Sequence, residues 1–137
     1  MKFGRTNLIA GSVVIMIATL GGFALGGTLE PNFQDGFYKQ SHDRVLMRAG
    51  HTHGMLFAYF NLIVGLLVDR LALTGKGKKL LSLLAIGALL VPAGVFTRGL
   101  LGGTEAVMPV VAAGALCYLG SAGLILKGAI GMKADQA

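Results

Sequence analysis

Cysteine and charge are both scarce in this sequence. Cys117 is the only cysteine, so the chain can form no internal disulfide and contains no CxxC pair. This excludes a small disulfide-stabilised domain and a thiol-rich metal site. Charged residues make up 13% of the chain, whereas about 25% is usual in soluble proteins. The composition is therefore far from that of an ordinary soluble domain.

Apolar residues fill the chain in four long blocks. About 20 apolar residues are needed to cross the hydrocarbon core of a bilayer. None of the blocks shows the polar stripe of a soluble amphipathic helix. The sequence therefore predicts one all-α domain over residues 1–137, an integral membrane four-helix bundle. The predicted spans are 8–27, 49–68, 80–101 and 106–126.

Acidic residues are absent from these blocks until Asp69, directly after the second. A small ion transporter would be expected to carry acidic groups within its spans, so this function is disfavoured. Lys2 and Arg5 before the first block leave open a cleaved signal peptide. The run is long for such a peptide, however, and residues 24–26 fit a cleavage site poorly.

The net charge of +6 is concentrated outside the predicted spans. Because cytoplasmic segments are enriched in lysine and arginine, both termini and the loop between spans two and three are predicted to be cytoplasmic. This distribution indicates an inner (cytoplasmic) membrane protein in contact with anionic lipid, and not a nucleic-acid-binding protein. The residues concerned are Lys2, Arg5, Arg70, Lys76, Lys78, Lys79, Lys127 and Lys133.

Two histidines, His51 and His53, lie at the start of the second span. A histidine inside a bilayer indicates a functional site by default, although interfacial imidazoles bonded to headgroups are an alternative. Positions two apart on a helix point about 200° apart, so the two rings cannot chelate one ion. A metal site built from protein ligands alone would need further donors, and no spacing signature supplies them.

Haem differs, because the porphyrin supplies four nitrogens and one axial histidine suffices. His53 is the preferred ligand and His51 the second choice. The His53 face continues through Phe57, Phe60 and Asn61, which would give aromatic walls and an amide. Arg48, and Arg98 from span three, are candidate partners for the haem propionates.

The second span resembles two haem-binding families. The string His53-Gly54-Met55-Leu56-Phe57, followed by Gly65-Leu66, is similar to the haem-ligand helix of heme–copper oxidase large subunits. The architecture of most of the chain resembles that of styrene oxide isomerases, small four-span membrane enzymes with haem b. There the resemblance lies in a glycine-rich first span, a long outer loop and a second span that opens with residues 48–54.

The second resemblance implies haem b bound through His53 and an isomerase activity. Ferric haem would act as a Lewis acid on an epoxide, which would rearrange to an aldehyde. Asn61, Tyr59 and Arg98 would position an apolar substrate that enters from the bilayer. A non-enzymatic accessory subunit of a respiratory or oxidase complex is the alternative function. Homo-oligomerisation is expected, since four short helices barely enclose a porphyrin.

Overall fold

The computed structural model describes residues 2–27 and 42–132, and these are entirely helical apart from short connections. The predicted all-α class is thus confirmed for the described part of the chain. Most of the predicted loop between spans one and two lies outside the described residues, and so does Lys133. The helices are α1 (Arg5–Gly27), α2 (His42–Leu67), α3 (Gly75–Gly87), α4 (Leu90–Leu100) and α5 (Met108–Ile130), with a short 3-10 turn at Glu105–Val107.

Three helical segments are long and apolar enough to cross a membrane. They are α1, the α3–α4 pair, and the 3-10 turn continued by α5. In contrast, α2 falls below that standard because it carries three histidines and Asn61. It also begins at His42, seven residues before the predicted start at 49, with Asp43 in its first turn. Acidic groups favour a helix N-terminus, so a helix can begin ahead of its apolar run.

The third span is broken where α3 meets α4. Pro92 has no N–H and its ring clashes with the carbonyl four residues earlier. The chain closes the break with two tighter turns: the Leu89 amide donates to the Ile86 carbonyl at 3.0 Å, and the Val91 amide to the Ala88 carbonyl at 3.1 Å. The predicted kink near Pro92 therefore agrees with the structure. One consequence is that the Ala85 carbonyl loses the Leu89 amide as its helical partner.

Helix α2 lies between α1 and α4, whereas α5 packs against α3 and α4. Close helix contacts depend on glycine. A Cβ at Gly50 would lie 2.6 Å from the Phe96 amide nitrogen, and one at Gly11 would lie 2.8 Å from the Ala58 carbonyl oxygen. Such distances exclude any side chain, so these glycines set the separation of the helices.

A buried polar network joins α1, α2 and α3. The Asn7 side-chain amide donates to Asn61 Oδ1 and to the Ser82 carbonyl, both at 3.0 Å. Asn61 Nδ2 in turn donates to the Ala85 carbonyl at 2.8 Å, and the Ser82 hydroxyl donates to Asn7 Oδ1. Asn7 and Asn61 are both fully buried. The carbonyl freed by the break in the third span is thus satisfied from α2.

The basic ends of the helices meet at one end of the bundle. The Lys2 amide donates to the Asp69 carboxylate at 2.8 Å, which brings the start of α1 to the end of α2. The Ala72 amide donates to the Gly128 carbonyl at 3.3 Å, which brings the α2–α3 connection to the end of α5. The histidines at the start of α2 lie toward the opposite end.

Candidate functional site: a groove and a cavity on opposite faces of α2

His51 and His53 point to different sides of α2, as the 100° per residue of an α-helix predicts. His51 faces α1: a Cβ at Gly22 would lie 2.7 Å from its Cε1. His53 faces a groove between α2 and α5. The two imidazoles therefore serve two separate environments, and α2 is the wall between them.

The groove on the His53 side has a volume of about 560 Å³. Three aromatic rings lie together along it: Phe57 and Phe60 from α2 are 5.1 and 5.0 Å from the ring of Tyr118 on α5. Such separations are typical of favourable aromatic pairs. Its walls are otherwise aliphatic apart from the phenol of Tyr59, and the lining is completed by Leu56, Tyr59, Ile63, Val91, Ala115 and Leu119.

His53 is held in a defined orientation. Its Nδ1 is 2.7 Å from the Ala49 carbonyl oxygen, one turn earlier in α2. Since a carbonyl can only accept, the bond places a ring hydrogen on Nδ1, and in the neutral ring this leaves a lone pair on Nε2. The imidazole also stacks on Phe57, with ring centroids 6.4 Å apart and planes inclined by 27°. A ring N–H bonded to a backbone carbonyl is the usual arrangement behind a metal-ligating histidine.

A smaller cavity of about 260 Å³ lies on the His51 side, among α1, α2 and α4. Its lining is apolar, and His51 is its one polar side chain among the described residues. The Nδ1 atom of His51 is buried and has no hydrogen-bond partner in the part of the chain that the structure describes. The other lining residues are Val14, Ile17, Ala18, Gly21, Gly50, Gly54, Leu89, Pro92, Ala93 and Phe96.

Asn61 does not lie on the groove beside His53, which differs from the sequence-based prediction. Eight residues of helix separate the two positions by roughly 80° of rotation, enough to turn Asn61 toward α1 and α3. Its Nδ2 donates to the Phe57 carbonyl at 3.0 Å as well as to Ala85, and its Oδ1 accepts from Asn7. Both N–H groups and the oxygen of the amide are thus engaged within the bundle, so Asn61 holds the helices together.

Both arginines expected near the haem propionates have other surroundings. Arg98 Nε donates to the Gly103 carbonyl at 3.1 Å, and its guanidinium pairs with Glu105. These contacts fix the connection between α4 and α5. Arg48 borders a depression on the α1 side of α2, where it lies with Gly22 and His51. In the described structure, His53, Phe57, Phe60 and Tyr59 are brought together, whereas Arg48, Arg98 and Asn61 are not among the groove residues.

Tyr118 is the groove residue that the sequence analysis missed. It is the one aromatic residue in α5, which otherwise consists of small and aliphatic residues apart from Cys117, Ser121 and Lys127. The presence of a single aromatic ring in an otherwise uniform span was the sequence signal that could have identified Tyr118 as a site residue. The residue contributes an aromatic wall and a second phenol to the groove.

Among the described residues, no three His, Cys, Asp or Glu side chains are grouped so that they could hold a metal ion. Any metal bound at His53 would therefore need most of its ligands from a cofactor or another molecule. No protein-family model, curated protein or solved structure matches this chain.

Proposed function

We propose that this protein is a haem b-binding protein of the inner membrane, with His53 Nε2 as the axial ligand. The macrocycle would occupy the groove between α2 and α5. The observation that carries the proposal is the 2.7 Å contact between His53 Nδ1 and the Ala49 carbonyl oxygen. It fixes the tautomer that leaves Nε2 free, on a ring that borders an apolar groove.

The surface of the bundle supports a location in lipid. Large apolar side chains are well exposed on the outer faces of α1 and α5, for example Leu20 (70%), Phe23 (75%) and Leu116 (69%). Extended apolar surfaces of this kind are unfavourable in water. With α2 as the fourth span, the basic end of the bundle faces the cytoplasm by the positive-inside rule. Both chain ends then lie on the cytoplasmic side.

The groove fits a large flat ligand. Its 560 Å³ falls within the roughly 300–1,000 Å³ of typical cofactor and ligand sites. Phe57, Phe60 and Tyr118 provide aromatic walls for a macrocycle. The outward side is bordered by Leu56, Tyr59 and Ile63, which are each more than half exposed, so an apolar molecule could enter from the hydrocarbon. The fit rests on His53 and the groove walls, because Arg98 is held by Gly103 and Glu105 and Arg48 lies on the α1 side of α2.

Held by His53, haem would supply Lewis-acid chemistry at its iron. The isomerase activity implied by the family resemblance is the most specific form of the proposal. Tyr59 and Tyr118 are the hydroxyl groups on the groove, and either could orient an epoxide oxygen by donating a hydrogen bond. Of the three positioning residues proposed from sequence, Tyr59 alone lines this groove.

Visible spectroscopy of the detergent-purified protein, produced with supplementary haem, tests the proposal. We expect a Soret band that is lost in His53→Ala and kept in the matched control His51→Ala. Exogenous imidazole should restore the band in His53→Gly by replacing the missing ring. Absence of the band in the unaltered protein, or its persistence in His53→Ala, would refute the proposal.

Enzymatic function is tested separately, by following aldehyde formation from styrene oxide. Turnover that falls in Tyr59→Phe or Tyr118→Phe, with an unchanged Soret band, would support the isomerase activity. A stable haem complex without turnover would instead favour the accessory-subunit alternative.

A further inference from the structure

We propose that the cavity on the His51 side is a second binding site, which takes an uncharged phenol-type compound. It lies across α2 from the groove and shares no lining residue with it. The proposal is therefore independent of haem binding at His53. It rests on the size of the cavity, the character of its walls and the imidazole of His51 on its lining.

The size of the cavity fits one substituted ring. An apolar cavity of about 150 Å³ can hold benzene, and this one measures about 260 Å³. The space exists because small residues face it: Gly54 and Ala18 lie opposite each other, with a Cβ at Gly54 falling 3.7 Å from that of Ala18. The cavity is therefore large enough for a single ring with short substituents.

The walls select an uncharged compound. Ile17 and Val14 come from α1, and Pro92 and Phe96 from α4, with no charged side chain among the described lining residues. A charged ligand would lose its hydration without gaining a partner. His51 also borders the depression beside Arg48, toward the outer end of the bundle.

The imidazole of His51 determines where the polar group of the ligand would lie, because it is the one polar side chain among the described lining residues. Buried polar atoms are nearly always hydrogen-bonded in folded proteins, because an unpaired one is unfavourable. His53 satisfies this rule through Ala49, but His51 Nδ1 has no such partner in the described structure and is covered by protein atoms. A hydroxyl group both donates and accepts, so a phenol would pair with Nδ1 in either neutral tautomer once the ring turns toward the cavity.

Fluorine NMR of the full chain in detergent tests this site, with 4-fluorophenol as the probe and fluorobenzene as the ligand without a hydroxyl. We expect saturable binding of 4-fluorophenol, about tenfold or more tighter than that of fluorobenzene, since one hydrogen bond separates them. His51→Phe keeps a ring but removes both nitrogens, and it should abolish the preference. His53→Ala should leave phenol binding unchanged, which separates this result from the outcome at the haem groove.

Cavity-filling variants give the second test. Ala18→Leu should abolish binding of both probes, whereas the matched Ala113→Leu on the exposed surface of α5 should not. If Ala18→Leu does not fold, Gly54→Ala serves instead, because its new methyl has no neighbour closer than 3.7 Å and should weaken binding by reducing the volume. Unsaturable partitioning of 4-fluorophenol, or a preference that survives in His51→Phe, would overturn the proposal.

Discussion

Replacing Asn61 by leucine is expected to destabilise the bundle without removing a group from the haem groove. The substitution keeps a similar volume at a fully buried position. It removes the donor to the Ala85 carbonyl and the acceptor for the Asn7 amide, which keeps its second bond to the Ser82 carbonyl. The network therefore loses its link between α2 and the two helices beside it.

The magnitude follows from what each lost bond leaves behind. The Ala85 carbonyl has already lost the Leu89 amide at the break, so Asn61→Leu leaves it unpaired, at about 1–3 kcal/mol. The lost bond to Asn7 adds about 1 kcal/mol, as measured for side-chain bonds between membrane helices. Together they lower the free energy of unfolding by about 2–4 kcal/mol. Ser121→Ala, which removes only a bond within α5 to Cys117, should cost less than about 1 kcal/mol.

Unfolding in mixed detergent micelles measures this difference, and a double-mutant cycle with Asn7→Leu isolates the pair. The cycle should give a coupling energy of about 1 kcal/mol, because each single variant already breaks the shared bond. Wherever Asn61→Leu remains folded, its Soret band should match that of the unaltered protein. Equal losses in Asn61→Leu and Ser121→Ala would contradict the reasoning. So would an unchanged stability together with loss of the Soret band, which would move Asn61 into the haem site.

Two further substitutions test helix packing and the α4–α5 connection. Gly114→Ala should lower the free energy of unfolding in detergent by about 1–3 kcal/mol, because the new methyl would lie 2.6 Å from the Val91 amide nitrogen. Gly123→Ala is the control, because no described atom lies within 4 Å of the added Cβ. This control should be neutral or slightly stabilising. Arg98→Met removes the pairing with Glu105. It should speed amide hydrogen exchange in the connection between α4 and α5 and leave the visible spectrum unchanged. Loss of the visible spectrum would instead place Arg98 at the haem.

The helical periodicity of α2 carried the most reliable site information in the sequence. Two residues of separation are enough to place His51 and His53 on opposite faces of any α-helix, whatever surrounds them. The same rule grouped Phe57 and Phe60 with His53, as the groove has them. The break near Pro92 was equally accessible, since the missing amide and the ring clash are local properties of proline.

Partner choice between helices was beyond the reach of the sequence alone. Asn61 lies 54 residues from Asn7 and 24 from Ala85, and no local pattern links these positions. Helical periodicity groups residues into a face about 80° wide. His53 on the groove and Asn61 in the polar network are separated by that same rotation. Arg98 was misplaced for a similar reason: its contacts with Gly103 and Glu105 depend on how the connection folds.

The attachment of α5 has a consequence for how a bulky group reaches the groove. Helices α1, α2 and α3 are joined by buried hydrogen bonds, whereas the residues of α5 that are buried are the small ones Gly114, Ser121 and Gly128. Along the groove, α5 meets α2 through the ring of Tyr118. An outward movement of α5 near Tyr118 would therefore widen the groove by separating aromatic surfaces and loosening the contact of Gly114 with Val91, with the polar network intact. We expect the bundle to assemble first and to admit a planar cofactor afterwards from the side.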